Sequence, residues 1–197
     1  YMTFSEDRSD NVWVDSDPNG IRTCSESSFY RISDATGELG SLWSGWYNLI
    51  YNANTVLANV DGVEFSDELT KKQFKGEALF LRALAHFELV RSFGRVPIID
   101  HVLASTQEAK TIPQSEGKDV ILNSVIPDLL EAEKLLPYRA EMKGSTGKSI
   151  AGEGRADKLA AQALLARVYM TLKGYPYNDA SAKAQAKSYL ETVVKNG

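Results

Sequence analysis

Two glutamates, Glu77 and Glu88, are the side chains whose type and spacing first suggest catalysis. They fall within about 20° of each other on a helical wheel, and pairs of carboxylates hydrolyse glycosidic bonds. That reaction needs the two groups about 5 to 9.5 Å apart, whereas the intervening helix, at ~1.5 Å per residue, separates them by ~16 Å. We therefore predict structural roles, with Glu88 paired to Arg91 three residues later.

Histidine is the next candidate for chemistry, and the chain has two, His86 and His101. A metal site would need both of them, together with carboxylates brought across a helix end. On the wheel, however, His86 shares a polar strip with Lys75 and Arg82. We therefore predict no metal site.

Two glycine-containing stretches resemble nucleotide-binding motifs only superficially. In "GSTGKS", Gly144 and Gly147 enclose two residues where a phosphate-binding loop needs four, and no apolar strand precedes them. We predict a solvated loop there, and we interpret "GEGRA" at 152–156 as the lead-in to a helix. Serines near the histidines do not by themselves indicate a triad. The sequence therefore predicts neither an enzyme nor a cofactor.

Trp13 is the best candidate for ligand binding, because an aromatic side chain among polar loop residues is costly unless it contacts something. A sugar ring against its face, with polar side chains for the hydroxyls, would explain the pattern. Alternatively, Trp13 covers the end of a helix pair. The polar residues around it are Arg8, Asp10, Asn11, Asp15 and Asn19.

Composition is that of an ordinary globular protein: 197 residues, 43% hydrophobic and 24% charged, with a net charge of −4. That charge disfavours nucleic acid as a partner. No apolar run is long enough to span a membrane, and the first residues do not resemble a signal peptide. One cysteine, Cys24, forms no internal disulfide. Because the chain starts without Met and stops after "VVKNG", we expect it to be part of a longer protein.

Helical periodicity begins near residue 39, after a flank at 1–38 rich in loop-forming residues. A first amphipathic helix is predicted over 39–60, and Asp61-Gly62 would end it. Its apolar face carries Trp43 and Trp46, which we predict to pack in a core rather than on sugar. The other residues of that face are Tyr47, Ile50, Asn54 and Leu57.

The second helix should begin at an N-cap, Ser66, and end near Ser92, before Gly94. It is apolar on most sides, so we expect neighbours to cover it. The "VPII" that follows should be extended because of Pro97. A third helix is predicted over 118–136, where Pro127 should cause a kink or a delayed start.

Beyond a polar insert at 139–154, the segments 155–175 and 180–194 form a helix pair spaced like a tetratricopeptide unit. The predicted fold is therefore all-α, with antiparallel helix pairs over 39–197 and a loop-rich flank at 1–38.

"FKGEALFLRALAHFELVRSFGRVPII", residues 74–99, closely resembles the hallmark helix of the SusD/RagB family of outer-membrane glycan-binding lipoproteins. "LWSGWYNLIYNANTVLANV", "IPDLLEAEKLLP" and "GRADKLAAQALLARVYMTLKGY" resemble other helices of that family, so the resemblance covers most of 39–195. The surroundings of Cys24 do not match a lipidation site. The matching motif residues are Gly76, Glu77, Arg82, Glu88, Arg91, Gly94 and Pro97.

The resemblance implies a tetratricopeptide-like scaffold on the cell surface, attached to the outer membrane by a lipid anchor outside this chain. It implies a SusC-like TonB-dependent transporter as partner, oligosaccharide as ligand, and no catalysis. A helical-repeat scaffold that binds peptides or a protein partner is the alternative, and some members of the family serve peptide uptake.

Overall fold

The computed structural model describes residues 37–65, 67–144, 147–151 and 153–197. The chain divides into two compact units, Tyr1–Trp46 and Tyr47–Gly197. Of the first unit, the description covers the beginning of helix α1, which runs from Gly37 to Asn59. Whether the flank and the scaffold meet at residue 38, as the sequence suggests, stays a prediction.

Helix α1 follows the predicted pattern closely. Ile50 and Asn54 of the predicted inner face are buried, as is Ala53, while Asn48 and Asn52 on the other side are exposed. A short 3-10 helix, Val60–Gly62, ends it where a helix end was predicted.

Helix α2, Glu68–Phe93, is the central element of the second unit. Its N-cap is Asp67, whose carboxylate accepts a hydrogen bond from the Thr70 N–H at 2.7 Å, so the prediction of Ser66 as the cap was wrong. Gly94 ends it, as predicted, with φ at +76°, and donates its N–H to the Val90 carbonyl at 2.8 Å. Buried residues lie all round the helix, including Leu79, Ala83, Ala85, Phe87, Leu89 and Val90.

The chain after α2 is extended, as Pro97 predicted. Strand β1, Val96–Pro97, pairs antiparallel with β2, Gln114–Ser115, with Val96 opposite Ser115. A short helix α3, Thr106–Thr111, lies between them and is capped by the Ser105 side chain. The sequence patterns did not predict the partner strand, because it has two residues.

The third predicted helix is continuous but irregular. It consists of α4, Gly117–Val120, a π-helical turn, Ile121–Val125, and α5, Ile126–Leu135. Pro127 stands in the first turn of α5, so its missing N–H falls where the π turn changes the hydrogen-bond pattern. Where the sequence predicted a kink or a delayed start at Pro127, the structure has a π-helical turn just before it.

Helices α6, Lys158–Lys173, and α7, Ala182–Asn196, form the predicted antiparallel pair. Asp157 caps α6 through the Ala160 N–H at 2.8 Å. Tyr169 and Tyr189 stack between the two helices with their ring centroids 6.0 Å apart. Helix α5 packs against both α2 and α6, and a core cluster of Leu79, Ala132, Leu136 and Ala161 joins the three.

The fold is therefore all-α and tetratricopeptide-like, as predicted. Within the described ranges, none of the helices combines the length and apolar character needed to cross a bilayer.

Candidate functional site

Arg82 lies at the centre of the most highly connected polar cluster in the described structure. Its Nε and Nη2 each donate to a carboxylate oxygen of Asp128 at 2.7 Å. Its Nη1 donates to the Asn54 Oδ1 at 2.8 Å and to the Asp100 carbonyl at 2.7 Å. The side chains of Arg82 and Asp128 are only 12% and 11% exposed. Burial raises the pKa of Asp128, and the guanidinium opposes that rise.

The same cluster holds the extended chain at 96–101 against the helices through its backbone. The Tyr47 hydroxyl donates to the Pro97 carbonyl at 2.9 Å. The Asn54 amide donates to the carbonyls of Ile99 at 3.1 Å and His101 at 2.9 Å. Together with the bond from Arg82 to Asp100, these contacts fix the path of the segment.

His86 is fully buried in this cluster, so placing it on a polar strip was wrong. Its Nε2 accepts the Ile99 N–H at 3.3 Å, and its Nδ1 lies 3.2 Å from the Arg82 carbonyl and 3.3 Å from the Ser124 hydroxyl. Because Nε2 accepts, the neutral ring carries its proton on Nδ1. Burial, followed by the charge of Arg82, lowers the pKa of His86 to about 4.

This pKa predicts a loss of stability in acid. In the unfolded chain His86 binds a proton as the pH falls below 6.5, while in the folded state it stays neutral down to about pH 4. The free energy of unfolding should therefore fall over that window, by on the order of 3 kcal/mol from this residue. Urea titrations of the intact protein and a His86→Gln variant should show the stability difference between them shrinking from pH 7 to pH 4.

His101→Gln is the matched control, because His101 should behave in the opposite way. Its Nδ1 lies 2.7 Å from an Asp100 oxygen and its Nε2 lies 3.0 Å from a Glu108 oxygen, and these bonds raise its pKa. The wild type should therefore gain stability over His101→Gln as the pH falls. A wild-type minus His86→Gln difference that does not change with pH would show that His86 is not held neutral by burial.

Glu77 and Glu88 have separate arginine partners, and the predicted pairing of Glu88 with Arg91 is present. Both carboxylate oxygens of Glu77 accept bonds from Arg155, with the Nε bond at 2.9 Å. Glu88 accepts two bonds from the Arg91 Nη1, at 2.7 and 2.9 Å, and Arg167 lies 3.5 Å away on another helix. Because α2 is one unbroken helix, the ~16 Å separation of the two glutamates stands.

The described glycines of the polar insert bond to the insert itself. Two N–H groups of its described glycines are used internally: Gly144 donates to the Lys148 carbonyl at 2.8 Å and Gly147 to the Gly144 carbonyl at 2.9 Å. Among the residues that the structure describes, no group of three or more histidine, cysteine and acidic side chains could hold a metal ion.

The predicted ligand-binding residues lie outside the described part of the chain. These are Trp13 and the polar residues Arg8, Asp10, Asn11 and Asn19 around it. Their role stays a prediction. Trp43 and Trp46 lie on α1 and are half-buried, so their packing in a core rather than on sugar stays a prediction.

The residues of the family motif pack helices together, end helix α2 or form ion pairs. A Cβ on Gly76 would lie 2.9 Å from the Leu136 Cγ, so only glycine allows α2 and the end of α5 to lie this close. Gly94 caps α2, Pro97 offers its carbonyl to Tyr47, and the charged motif residues are paired as described above. Arg82 was assigned to the motif from the sequence, but its carboxylate partner, Asp128, was missed.

Comparison with known proteins gives one consistent result. A model of a SusD-like family, described as starch-binding and associating with the outer membrane, matches residues 7–170. SusD-like protein P25 of Formosa agariphila is 32% identical over 130 residues, which are 65% of this chain and 22% of that protein. The chain matches between 22% and 26% of the length of such curated relatives.

Solved structures agree with the sequence match. A SusD homolog from Bacteroides thetaiotaomicron aligns with a TM-score of 0.76 and 29% identity, covering 88% of this chain and 32% of its own. A laminarin-binding SusD-like protein aligns with a TM-score of 0.70 and 29% identity, covering 87% of this chain and 33% of its own. On the family match, which covers most of the sequence, this chain belongs to the SusD-like family.

Proposed function

We propose that the protein binds oligosaccharide at the cell surface without catalysing a reaction and passes it to a SusC-like TonB-dependent transporter. The observation that carries this proposal is the family match over residues 7–170, in a family described as starch-binding and outer-membrane-associated. The likeness to a laminarin-binding protein at 29% identity supports a glycan as ligand.

The described helices serve this function as a rigid frame. Glu77, Arg82 and Glu88 are all engaged in ion pairs within the frame. Arg82 joins α2 to α5 through Asp128, and Glu88 lies 3.5 Å from Arg167 of α6, so we assign these charges to the frame and not to a ligand. Ligand contact then falls to the loops that the frame supports. We assign it to Trp13 and its polar neighbours in the 1–38 flank, with a lipid anchor outside this chain holding the protein at the outer membrane.

Affinity electrophoresis of the intact protein through laminarin tests the proposal. Wild type should be retarded, and Trp13→Ala should lose most of the retardation, at least about tenfold in apparent affinity, because an aromatic face is lost. Tyr175→Ala is the control, since this side chain is 90% exposed and lies outside the proposed site.

Two outcomes would contradict the proposal at different levels. Retardation that survives Trp13→Ala but is lost in Tyr175→Ala would move the site to the α6–α7 turn. Absence of retardation on laminarin and on starch, with no TonB-dependent transporter co-purifying from membranes, would remove glycan delivery altogether.

A further inference from the structure

An open cavity of about 570 Å³ lies where the start of α2, the end of α5 and the polar insert meet. Leu69, Leu135, Leu136 and Pro137 give it an aliphatic floor. Four lysines stand around that floor: Lys72, Lys134, Lys143 and Lys158. Its volume falls in the range of about 300 to 1,000 Å³ that small-molecule and peptide-sized pockets occupy.

Hydrogen bonds to the backbone hold the walls of this cavity in place before any ligand binds. The Gln73 side chain is buried and bonds Lys143 twice: its Nε2 donates to the Lys143 carbonyl and its Oε1 accepts the Lys143 N–H, both at 3.1 Å. On the opposite side, the Lys158 N–H donates to the Pro137 carbonyl at 2.9 Å. A ligand would therefore bind without the cost of ordering these walls.

The charge of the cavity is opposite to that of the chain. Among the described lining residues, four lysines and one glutamate, Glu141, give a net charge of +3, while the whole chain carries −4. The Glu141 carboxylate already accepts the Tyr138 N–H at 3.2 Å. Two further acids lie near the lysines: Asp67 caps α2 and has its pKa lowered in part by the charge of Lys143, and Glu131 pairs with Lys134. The cavity thus favours an anionic partner.

Two of the lysines are available for that partner. Lys72 and Lys143 are exposed and form no ion pair with any other side chain in the described ranges. Lys134 is paired only with Glu131 at the surface, at 2.9 Å, and Lys158 lies 5.3 Å from the Tyr138 ring centre. Exposed pairs of this kind exchange partners at little cost.

The apolar residues that line the cavity indicate a peptide rather than a sugar as its ligand. Sugar rings stack on flat aromatic faces. None of the described residues that line this cavity is aromatic, and its apolar lining is leucine and proline. Leu69 is 69% exposed, so an aliphatic side chain from a partner would cover apolar surface that water now contacts. Lysine ammonium groups around such a floor suit carboxylates flanking the aliphatic side chain.

We propose that this cavity docks an acidic peptide segment of a partner protein that inserts a leucine-sized side chain between the four lysines. The proposed site uses none of the residues assigned to glycan. The two proposals can therefore be tested with different variants.

The peptide-docking proposal can be tested by fluorescence anisotropy with the intact protein. The probe is a labelled ten-residue peptide that has two central leucines flanked by glutamates. Binding should saturate and weaken as salt is raised. Lys72→Glu combined with Lys143→Glu should weaken it by about tenfold or more, because two attractive contacts become repulsive. Lys183→Glu combined with Lys195→Glu, exposed positions on α7, changes the net charge equally and should leave the affinity unchanged.

Changes to the peptide and to the floor complete the test. A peptide with serine in place of both leucines, and the protein variant Leu69→Ser, should each weaken binding several-fold. Equal binding of the leucine and serine peptides, or an equal loss in both lysine variants, would reduce the effect to non-specific charge and overturn the proposal. Displacement of the peptide by oligogalacturonate at lower concentration than by unlabelled peptide would assign the cavity to an acidic glycan instead. Laminarin retardation in the same lysine variant reports glycan binding separately.

Discussion

Arg82→Met should lower the free energy of unfolding of the intact protein by about 3 to 5 kcal/mol, the largest effect we expect from any single substitution in the described helices. The reason is the carboxylate that the change leaves behind. Asp128 is 11% exposed and receives two bonds from Arg82, so without the guanidinium it is a buried charge with no counter-ion. Urea unfolding at neutral pH, followed by circular dichroism, measures the loss.

Two further variants separate this cause from simple loss of packing. Arg82→Met combined with Asp128→Leu removes both charges and should recover much of the stability. Lys75→Met is the matched control on the same helix: its ion pair with Asp61 has side chains 37% and 64% exposed, and its loss should cost about 1 kcal/mol or less. If the double variant were less stable than Arg82→Met alone, the buried charge would not be the cause.

Gly76→Ala should be the second most damaging of the substitutions considered, although alanine is normally the better helix former. A Cβ at this position would lie 2.9 Å from the Leu136 Cγ and 3.1 Å from the Leu135 Cβ, so α2 and the end of α5 would have to move apart. Overpacking of this kind costs about 1 to 3 kcal/mol. The same urea titration measures it, and Gly76→Val should be worse because its side chain is larger.

Gly45→Ala on α1 is the control for Gly76→Ala. A Cβ at Gly45 meets no atom of the described residues within 4 Å, so there the gain in helix propensity should stand alone and stabilise by about 0.5 to 1 kcal/mol. Opposite signs for the two glycines are the expected result. A stabilising Gly76→Ala would show that the two helices have room between them.

Features that depend on neighbouring residues were predicted well from the sequence. The three-and-four spacing of Ile50, Asn54 and Leu57 gave the inner face of α1, and Gly94 gave the end of α2. The disturbance at Pro127 was predicted because a missing N–H must alter a helix wherever it occurs, although the pattern did not say that a π turn would result.

Features that depend on distant residues were not predicted. Arg82 and Asp128 are 46 positions apart, and no local spacing links them. His86 was misplaced for the same reason: a helical wheel compares residues of one helix, whereas His86 is buried by contacts with Ile99 and Ser124 from outside it. The glycan-binding role of Trp13 stays a prediction, since it lies outside the described residues.

The hydrogen bonds that hold residues 96–101 affect how this surface can evolve. Tyr47, Asn54 and Arg82 bind carbonyl oxygens, and every amino acid supplies the same carbonyl. The exposed side chains of Asp100 and His101 can therefore be exchanged by mutation without releasing the backbone from its place. Related proteins that keep the three anchoring side chains could therefore carry other side chains at positions 100 and 101 while the backbone follows the same path. The sequence of this short segment can vary although its backbone is held rigidly.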